Sequence, residues 1–334
     1  MGTYTSIGAA SLDTLTAAQL TMIERDMLLR AEPELQYTRF AYVRPFAERE
    51  GYTDTFTRMT ALSAATTALT EGVTPSGEST TLTTVTVTPD YYGSWAKITE
   101  KMEQMGVFAI VDDISDNLGY QAGKTADVLA RTVLVAGATT QIADSVASEA
   151  TVAATNILEL DEIFNAVRQL MKNNARPLAE IGNRYACIYH PDAWFDLVRD
   201  AEVRALGIHA LPPGEQNPVF GTAMFDVANV RFFQSSNAYI NTDGGAGAVD
   251  TYHTLVIGRQ SFAIVGLTGL IQPWQEGGTD TEIRPIKLIV HGKEDYGPMD
   301  LYSTVAWKIN QGQVVLNAAF LIDIIHACSK GSNA

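Results

Sequence analysis

The chain has 334 residues, of which 46% are hydrophobic and 18% are charged, a composition that excludes a disordered or fibrous protein. Its formal net charge of −15 argues against a protein that reads nucleic-acid sequence, because such a protein needs a basic surface. No apolar run approaches the roughly 18–20 residues of a membrane span, and the N-terminus lacks the features of a secretion signal. The two cysteines, Cys187 and Cys328, form no motif and are expected to be reduced thiols.

The first 50 residues are predicted to form an arm that contains one helix. Thr16 and Gln19 have the spacing of a capping box, and apolar residues then recur at helical intervals. The arm carries spaced positive charges at Arg25, Arg30, Arg39, Arg44 and Arg49. These arginines indicate either a solvated surface or an arm that lies across the acidic face of a neighbouring subunit.

Residues 53–88 form the most unusual stretch, because 14 of these 36 residues are threonine and only four are charged. The β-branched bias favours extended strands, but the stretch has too few large apolar side chains to form a core of its own. Glycine and proline between positions 70 and 78 predict a turn, and the alternation over 82–88 predicts a strand with one apolar face. We expect a two-stranded ribbon whose arms, of roughly 10–15 residues each, project about 30–50 Å from the body. Because such a ribbon is marginally stable alone, a neighbouring copy is the expected support.

A long helix is predicted over residues 112–136, after the aromatic residues Tyr91, Tyr92 and Trp95, which are expected to anchor the ribbon to the body. Aspartates stand at the positive end of the helix dipole, and Gly137 offers a stop. Its apolar stripe is expected to contain Ile114, Leu118, Ala122, Leu129 and Val133. At about 24 residues the helix spans about 36 Å, long enough to act as the spine of a flat molecule.

A second helix is predicted over residues 156–173, with Asn156 and Glu159 as a capping pair. Its buried face is expected to contain Leu160, Ile163, Phe164, Val167, Leu170 and Met171. An interior strand follows at 184–189, and Pro191 opens a short helix. Loops are predicted at 207–221 and 241–250. Later strands are expected at 254–257, 261–265, 286–290 and 302–309, followed by an apolar run over 314–325 that Asn317 and Asp323 interrupt.

Two local patterns imitate functional sites. Gly123-Lys124-Thr125 looks like the end of a phosphate-binding loop, but the required earlier glycine is replaced by Leu118 and the triplet lies inside a predicted helix. The histidines and cysteines lack zinc-binding spacing. His190 and Asp192 have the residue types of a catalytic base and its orienting carboxylate, although their position at a helix start favours capping. The sequence therefore predicts no enzyme, no cofactor and no metal.

The order of arm, ribbon, spine helix and late strands resembles the major capsid proteins of tailed bacteriophages, in particular a podovirus-type family, whose fold is shared with the herpesvirus capsid shell. Residues 69–75 fit the pattern L-x-E-G-x-x-P of that family, and residues 189–197 fit its H-P-x…D-L segment. Further similar segments are 113–127, 254–262 and 297–317. The resemblance covers roughly residues 50–325 and depends on the shared order of these segments.

The resemblance implies an α+β phage capsid fold with an N-terminal arm, an extended β-hairpin loop, a long spine helix in a peripheral domain, and an axial domain. The implied bounds are 1–50 for the arm, 51–95 for the extended loop, 96–154 with 266–310 for the peripheral domain, and 155–265 with 311–334 for the axial domain. Intersubunit contacts are expected, from position, at Phe56, Arg58, Glu71, Pro75, Trp95, Arg25 and Arg44. Some relatives crosslink through a lysine of the extended loop. The first lysine here is Lys97, so no such crosslink is expected.

The resemblance further implies a major capsid protein that assembles through pentamers and hexamers into an icosahedral shell. That shell would enclose the double-stranded DNA of a tailed phage without sequence-specific binding and without a membrane. Expected partners are a separate scaffolding protein, a portal protein and, as an optional component, a cement or decoration protein. The expected location is the virion capsid, assembled in the host bacterial cytoplasm. Two alternatives stay open: an encapsulin-like nanocompartment that stores a cargo enzyme, and a hydrolase centred on His190.

Overall fold

The computed structural model describes residues 30, 35–46, 51–60, 62–74, 76–99, 101–102, 110–203, 226–227, 229–267, 287–291 and 302–330. Several predicted features lie outside the described residues, namely the N-terminal helix, Arg25, Arg49, Pro75 and the 207–221 loop.

Three helices organise the described chain. They are α1 (Ile110–Gly137), α2 (Leu160–Lys172) and α3 (Pro191–Arg199). The strands are β1 (Tyr42–Phe46), β2 (Asp54–Met59), β3 (Leu82–Val87), β4 (Asp90–Thr99), β5 (Thr139–Ile142), β6 (Tyr185–Tyr189), β7 (Asp226–Val227), β8 (Val230–Gln234), β9 (Ile240–Asn241), β10 (Thr251–Ile257), β11 (Phe262–Leu267), β12 (Lys287–His291), β13 (Tyr302–Val315) and β14 (Leu321–His326).

The strands form two large sheets and one ribbon. The first sheet has the order β1-β11-β13-β12, and β4 also pairs antiparallel with β13, between Tyr302 and Gln311. The second sheet has the order β5-β14-β10-β6-β8-β7, with β9 beside β10. Strand β5, from the segment assigned by resemblance to the peripheral domain, joins this second sheet through a parallel pairing with β14. The ribbon consists of β2 and β3 with the residues that join them.

Helix α1 is the predicted spine, and it packs on both sheets. Its first half contacts β4 and β13, where Leu118 and Ala122 lie against Trp307. Its last half contacts the second sheet, where Ala130 and Leu134 join Leu255 in another core. The fully buried line is Leu118, Ala122, Ala126, Ala130 and Leu134. Leu129 and Val133, predicted for this line, are only half-buried, and Ile114 packs at the edge of the core.

Helix α2 begins later than the sequence predicts. Asn156 does not cap it, because the Asn156 side chain accepts from the backbone N–H of Ala153 at 2.7 Å and donates to Asp144 at 2.8 Å. The predicted burial is confirmed for four residues of α2, which pack against β6 and β10: Leu160, Ile163, Val167 and Leu170. It is wrong for Phe164 and Met171, which are 43% and 52% exposed. The burial of Ala166 in their place shows that the buried stripe is narrower than predicted.

The base of the ribbon is held tightly to the body at a two-residue elbow between β3 and β4. Val87, the last residue of β3, is buried against Val265 and is flanked by Phe56. Gly312 of β13 permits this approach, since a Cβ at this position would lie 2.9 Å from Cγ2 of Val87 and 3.0 Å from Cα of Pro89. The direction in which the ribbon leaves the body is therefore fixed by backbone packing.

A buried carboxylate ties the chain segment before β1 to the spine helix. Oδ1 of Asp127 accepts from the backbone N–H groups of Gln36 and Tyr37, at 2.9 and 2.7 Å. Burial raises the pKa of Asp127 to about 7, although these backbone donors favour the charged form and oppose the shift. The folded state therefore binds a proton that the unfolded state, with an ordinary carboxyl, releases near pH 4.

We expect Gly312→Ala to lower the free energy of unfolding by about 1–3 kcal/mol, because a Cβ there overpacks the elbow. The control is Gly77→Ala, where the added Cβ meets nothing within 4 Å. Urea unfolding of both variants measures the difference. Equal midpoints for Gly312→Ala and Gly77→Ala would show that the elbow is not closely packed.

The buried Asp127 predicts a stability that falls as pH rises. The contribution of Asp127 to the free energy of unfolding is fully present below about pH 4. It decreases by about 1.4 kcal/mol per pH unit as the pH rises, until the pKa of Asp127 in the folded state, near 7, is passed. Asp127→Asn keeps an oxygen that accepts from Gln36 and Tyr37 but carries no charge, so it should gain stability relative to the wild type over this window. The measurement is urea unfolding from acid to mildly alkaline pH, with the exposed Asp116→Asn as control. A difference between wild type and Asp127→Asn that does not change with pH contradicts this account.

Candidate assembly interface

The arm strand β1 and the ribbon strand β2 are joined by Arg44. Nη1 of Arg44 lies 3.3 Å from Oδ1 of Asp54 and 3.3 Å from the backbone oxygen of Thr55. Its guanidinium also lies 5.3 Å from the centre of the Phe56 ring, and the rings of Phe56 and Tyr42 meet edge to face at 6.4 Å. Two predicted intersubunit residues, Arg44 and Phe56, thus fix the base of the ribbon within their own chain.

The hydrogen-bonded part of the ribbon is shorter than the predicted arms. Asp54 to Met59 pairs antiparallel with Val87 to Leu82, and Thr60 adds one more bond to Thr81 at 3.0 Å. Burial alternates as predicted over the last four residues of β3, where Val85 and Val87 are less exposed than Thr84 and Thr86. Beyond this ladder the two arms run without regular pairing, because threonine-rich segments offer little apolar surface to hold them together.

The far end of the ribbon, residues 62–74 and 76–80, is called the ribbon tip. All of these residues are exposed, including Leu69 at 77%, Val73 at 62% and Leu62 at 59%. A turn closes the tip: the backbone N–H of Val73 donates to the carbonyl of Thr70 at 3.1 Å, and Gly72 has a φ of +77°. This fits a type II turn, which favours glycine at its third position. Glu71, a predicted contact residue, stands at the second position of this turn.

The outward face of β4 carries a second exposed apolar group. Trp95 is 64% exposed and Tyr91 is 56% exposed, with the Lys308 ammonium 4.0 Å from the centre of the Tyr91 ring. Tyr92 and Ile98 project from the opposite face and pack toward α1. The prediction that these aromatic residues anchor the ribbon to the body is therefore confirmed for Tyr92. It is wrong for Tyr91 and Trp95, because alternation along the strand turns these two side chains outward.

The predicted contact residues thus fall into three groups. Arg58, Glu71 and Trp95 are exposed and free to meet another subunit, whereas Arg44 and Phe56 are engaged at the ribbon base. Arg25 and Pro75 lie outside the described residues. For all seven residues, contact with a neighbouring subunit stays a prediction.

His190 caps helix α3 rather than facing an open site. Its Nδ1 accepts from the backbone N–H of Asp192 at 3.2 Å, and Pro191 is the first helical residue, as the sequence predicts. Burial lowers the pKa of His190 although the Asp192 carboxylate opposes this, which favours the neutral ring that capping requires. The Asp192 carboxylate accepts from the hydroxyl of Tyr252 at 3.1 Å. This geometry gives both predicted residues a structural role.

Sequence reasoning missed a buried polar cluster at the end of the second sheet. Nδ1 of His253 lies 2.7 Å from Oδ2 of Asp323, and its Nε2 lies 3.4 Å from Oε1 of Glu149. Burial lowers the pKa of His253, but the hydrogen bond and charge of Asp323 outweigh it and raise the pKa above its usual value. Glu149 also accepts from Thr251 and Asn241, at 2.5 and 2.8 Å. The cluster fastens the loop that carries Glu149 to β9 and β10.

One feature of the sequence indicated this cluster: Asp323 interrupts the apolar run over residues 314–325. A carboxylate inside a buried strand requires a partner of opposite charge or a hydrogen-bond donor. The position of that partner, 70 residues earlier at His253, follows only from the pairing of β10 with β14.

The remaining sequence patterns have structural explanations. Gly123-Lys124-Thr125 lies within α1, as predicted, and the hydroxyl of Thr125 donates to the carbonyl of Gln121 at 2.7 Å. Cys187 and Cys328 are free and buried. Within the described ranges, no helix is long and apolar enough to cross a membrane, and no three His, Cys, Asp or Glu side chains are placed to share a metal ion.

Comparison with known proteins identifies related capsids. A family model described as phage capsid protein matches residues 79–284. The capsid protein of cyanophage P-SCSP1u is 15% identical, with 88% of this chain and 89% of that chain covered and a TM-score of 0.65. The capsid protein of Ralstonia phage GP4 is 15% identical, with 89% of each chain covered and a TM-score of 0.64.

A more distant similarity links the chain to a virus-like particle from Pyrococcus furiosus. This protein is 9% identical, with 91% of this chain and 98% of that chain covered and a TM-score of 0.51. A search of curated proteins found no match. At these identities the similarities to solved structures establish the fold, and the α+β capsid fold expected from the sequence is confirmed.

The family model covers more than half of the chain, and its match agrees with the fold. The chain belongs to the phage capsid protein family, as its resemblance to tailed-phage major capsid proteins predicted.

Proposed function

We propose that this chain is the major capsid protein of a tailed phage, and that it assembles through pentamers and hexamers into an icosahedral shell around double-stranded DNA. The observation that carries the proposal is a long ribbon with an exposed tip on a chain of the phage capsid family. The ribbon of one subunit lies over its neighbour, and the N-terminal arm ties adjacent capsomers. Contacts of this kind are heterologous, so their geometry determines whether the shell closes.

The two sheets support in part the division into domains that the resemblance implies. The sheet built on β13 contains β12 and most of β13 from the peripheral domain, proposed at 96–154 and 266–310, but also β1, most of β4 and most of β11 from the other proposed segments. The second sheet, apart from β5, lies within the axial domain, proposed at 155–265 and 311–334. Residues 1–50 form the proposed arm and 51–95 the extended loop. Helix α1, which packs on both sheets, would keep their relative orientation fixed during assembly.

The resemblance to tailed-phage capsid proteins implies further components of the assembly. We therefore propose a separate scaffolding protein, a portal protein and, in some particles, a cement or decoration protein as partners. Assembly would take place in the host bacterial cytoplasm and end in the virion capsid. With a net charge of −15, the shell wall would not bind the DNA phosphates tightly, so the packaged DNA stays free to move.

The two alternatives find less support. The encapsulin-like compartment shares the fold, but the family match favours a phage shell, and the similarity to the Pyrococcus particle concerns the fold alone. A hydrolase at His190 would need a base that can reach a substrate, whereas the His190 side chain is only 16% exposed and its Nδ1 accepts from the helix that it caps. A structural role without enzymatic activity accounts for the observations best.

We expect this chain, expressed alone or with the scaffolding protein of the same phage, to form closed shells of megadalton mass. Light scattering on a sizing column, with negative-stain imaging of the excluded fraction, measures this directly. Shells isolated from infected cells should contain nuclease-protected DNA, whereas a protein cargo without DNA would favour the nanocompartment. A chain that stays monomeric even with the scaffolding protein contradicts the proposal.

A further inference from the structure

Two adjoining pockets lie beside the base of the ribbon. The larger, of about 350 Å³, is apolar and is lined by Tyr42, Phe56, Val85, Leu316 and Phe320, with Arg58 at its rim. The smaller, of about 220 Å³, is polar and is lined by Asn174, Arg176 and Arg259. Both pockets share Gln260 and Phe320, so they adjoin, and together they are called the trough here.

The trough combines an apolar floor with a cationic end. Arg176 and Arg259 are exposed, and their backbones are joined by a hydrogen bond from the N–H of Arg259 to the carbonyl of Arg176 at 2.8 Å. Among the described residues, neither arginine forms an ion pair. On a chain with a net charge of −15, two adjacent arginines without acidic partners are suited to a carboxylate, which a guanidinium binds through paired hydrogen bonds.

The ribbon tip has the complementary composition. Residues 62–80 contain two glutamates and no lysine or arginine, and the tip turn places Glu71 between the exposed side chains of Leu69 and Val73. A carboxylate between two apolar side chains matches a groove in which an arginine pair adjoins an aromatic floor. Docking would remove the exposed side chains of Leu69 and Val73 from water, which favours the contact.

The tip of a given chain does not fill the trough of the same chain. Phe56 and Val85 pair across the ribbon base and line the trough, whereas Glu71 lies 15 residues further along the ribbon. At about 3.3 Å per residue, the extended ribbon carries the turn tens of ångströms away from its own trough. The tip is exposed throughout, so it does not fold back on the body.

We infer that the trough receives the ribbon tip of a second copy of this chain, with Leu69 and Val73 on Phe56 and Phe320 and the Glu71 carboxylate on Arg176 and Arg259. The inference rests on the proposed function, and it names the receiving surface for the ribbon. Each copy offers one tip and one trough, so the contact is head to tail and generates rings or a continuous shell.

A disulfide tests this contact on assembled particles. Glu71→Cys combined with Gln260→Cys places one thiol on the tip and one at the centre of the trough, and the two natural cysteines are buried. Oxidation should link chains into a ladder of dimers and higher oligomers on a non-reducing gel, since a disulfide needs Cα atoms within about 7 Å. The matched control is Glu71→Cys with Lys124→Cys, on the exposed surface of α1, which should give no ladder.

The possible outcomes separate this inference from the proposed function. Particles that assemble but show no ladder with Gln260→Cys overturn the inference, assign the trough to another occupant and leave the capsid function intact. Linkage through Lys124→Cys instead also overturns it. Failure of the wild-type chain to form particles would contradict the proposed function itself.

Reversing the charges of Glu71 and Arg259 tests the same contact if the cysteine variants do not assemble. Glu71→Arg alone and Arg259→Glu alone should each abolish shells, and the combination should restore them. Glu78→Arg, which reverses the other glutamate of the tip, is the control and should assemble. Wild-type assembly of Glu71→Arg, or a combined variant that remains unassembled, contradicts the inference.

Discussion

The constraint on which the structure depends is that the ribbon tip cannot bury its apolar side chains within its own chain. Leu62, Leu69 and Val73 are all more than half exposed, and beyond Thr60 and Thr81 the two arms do not pair regularly. A segment with this little internal contact is marginal in water and becomes stable by lying on another surface. Assembly supplies that surface, so the same residues that destabilise the free subunit favour the shell.

The rest of the fold holds the ribbon at a fixed direction. Helix α1 packs on both sheets, and the elbow at Val87 is locked against β13 where Gly312 leaves room for it. Arg44 joins the arm strand to the ribbon base, and Asp127 joins the segment before β1 to α1. A contact between subunits is only as precise as the element that presents it. These anchors therefore explain how a weak ribbon can specify a regular assembly.

Local patterns predicted the long helix and several strands but not β1, β5 or β8, and long-range contacts were beyond them. The spine helix, the strand before His190 and the proline at the start of α3 follow from periodicity and capping within a few residues. The start of α2 was wrong because the Asn156 side chain bonds to Asp144, a partner outside the helix. The cluster of Glu149, His253 and Asp323 unites three distant segments, so Asp323 signalled a buried partner but could not identify it. The trough gathers residues from several more segments and leaves no signal at any single position.

The central claim is that the ribbon tip is buried against a neighbouring copy in the assembled state. Hydrogen–deuterium exchange on unassembled subunits and on intact shells tests it most directly, with peptides covering residues 62–80 compared between the two states. Our account predicts rapid exchange of these amides in the free subunit and marked protection in the shell, whereas the amides of β6 and β10, buried within the subunit, should be protected in both states. Equally rapid exchange of the tip in free subunits and shells would contradict it.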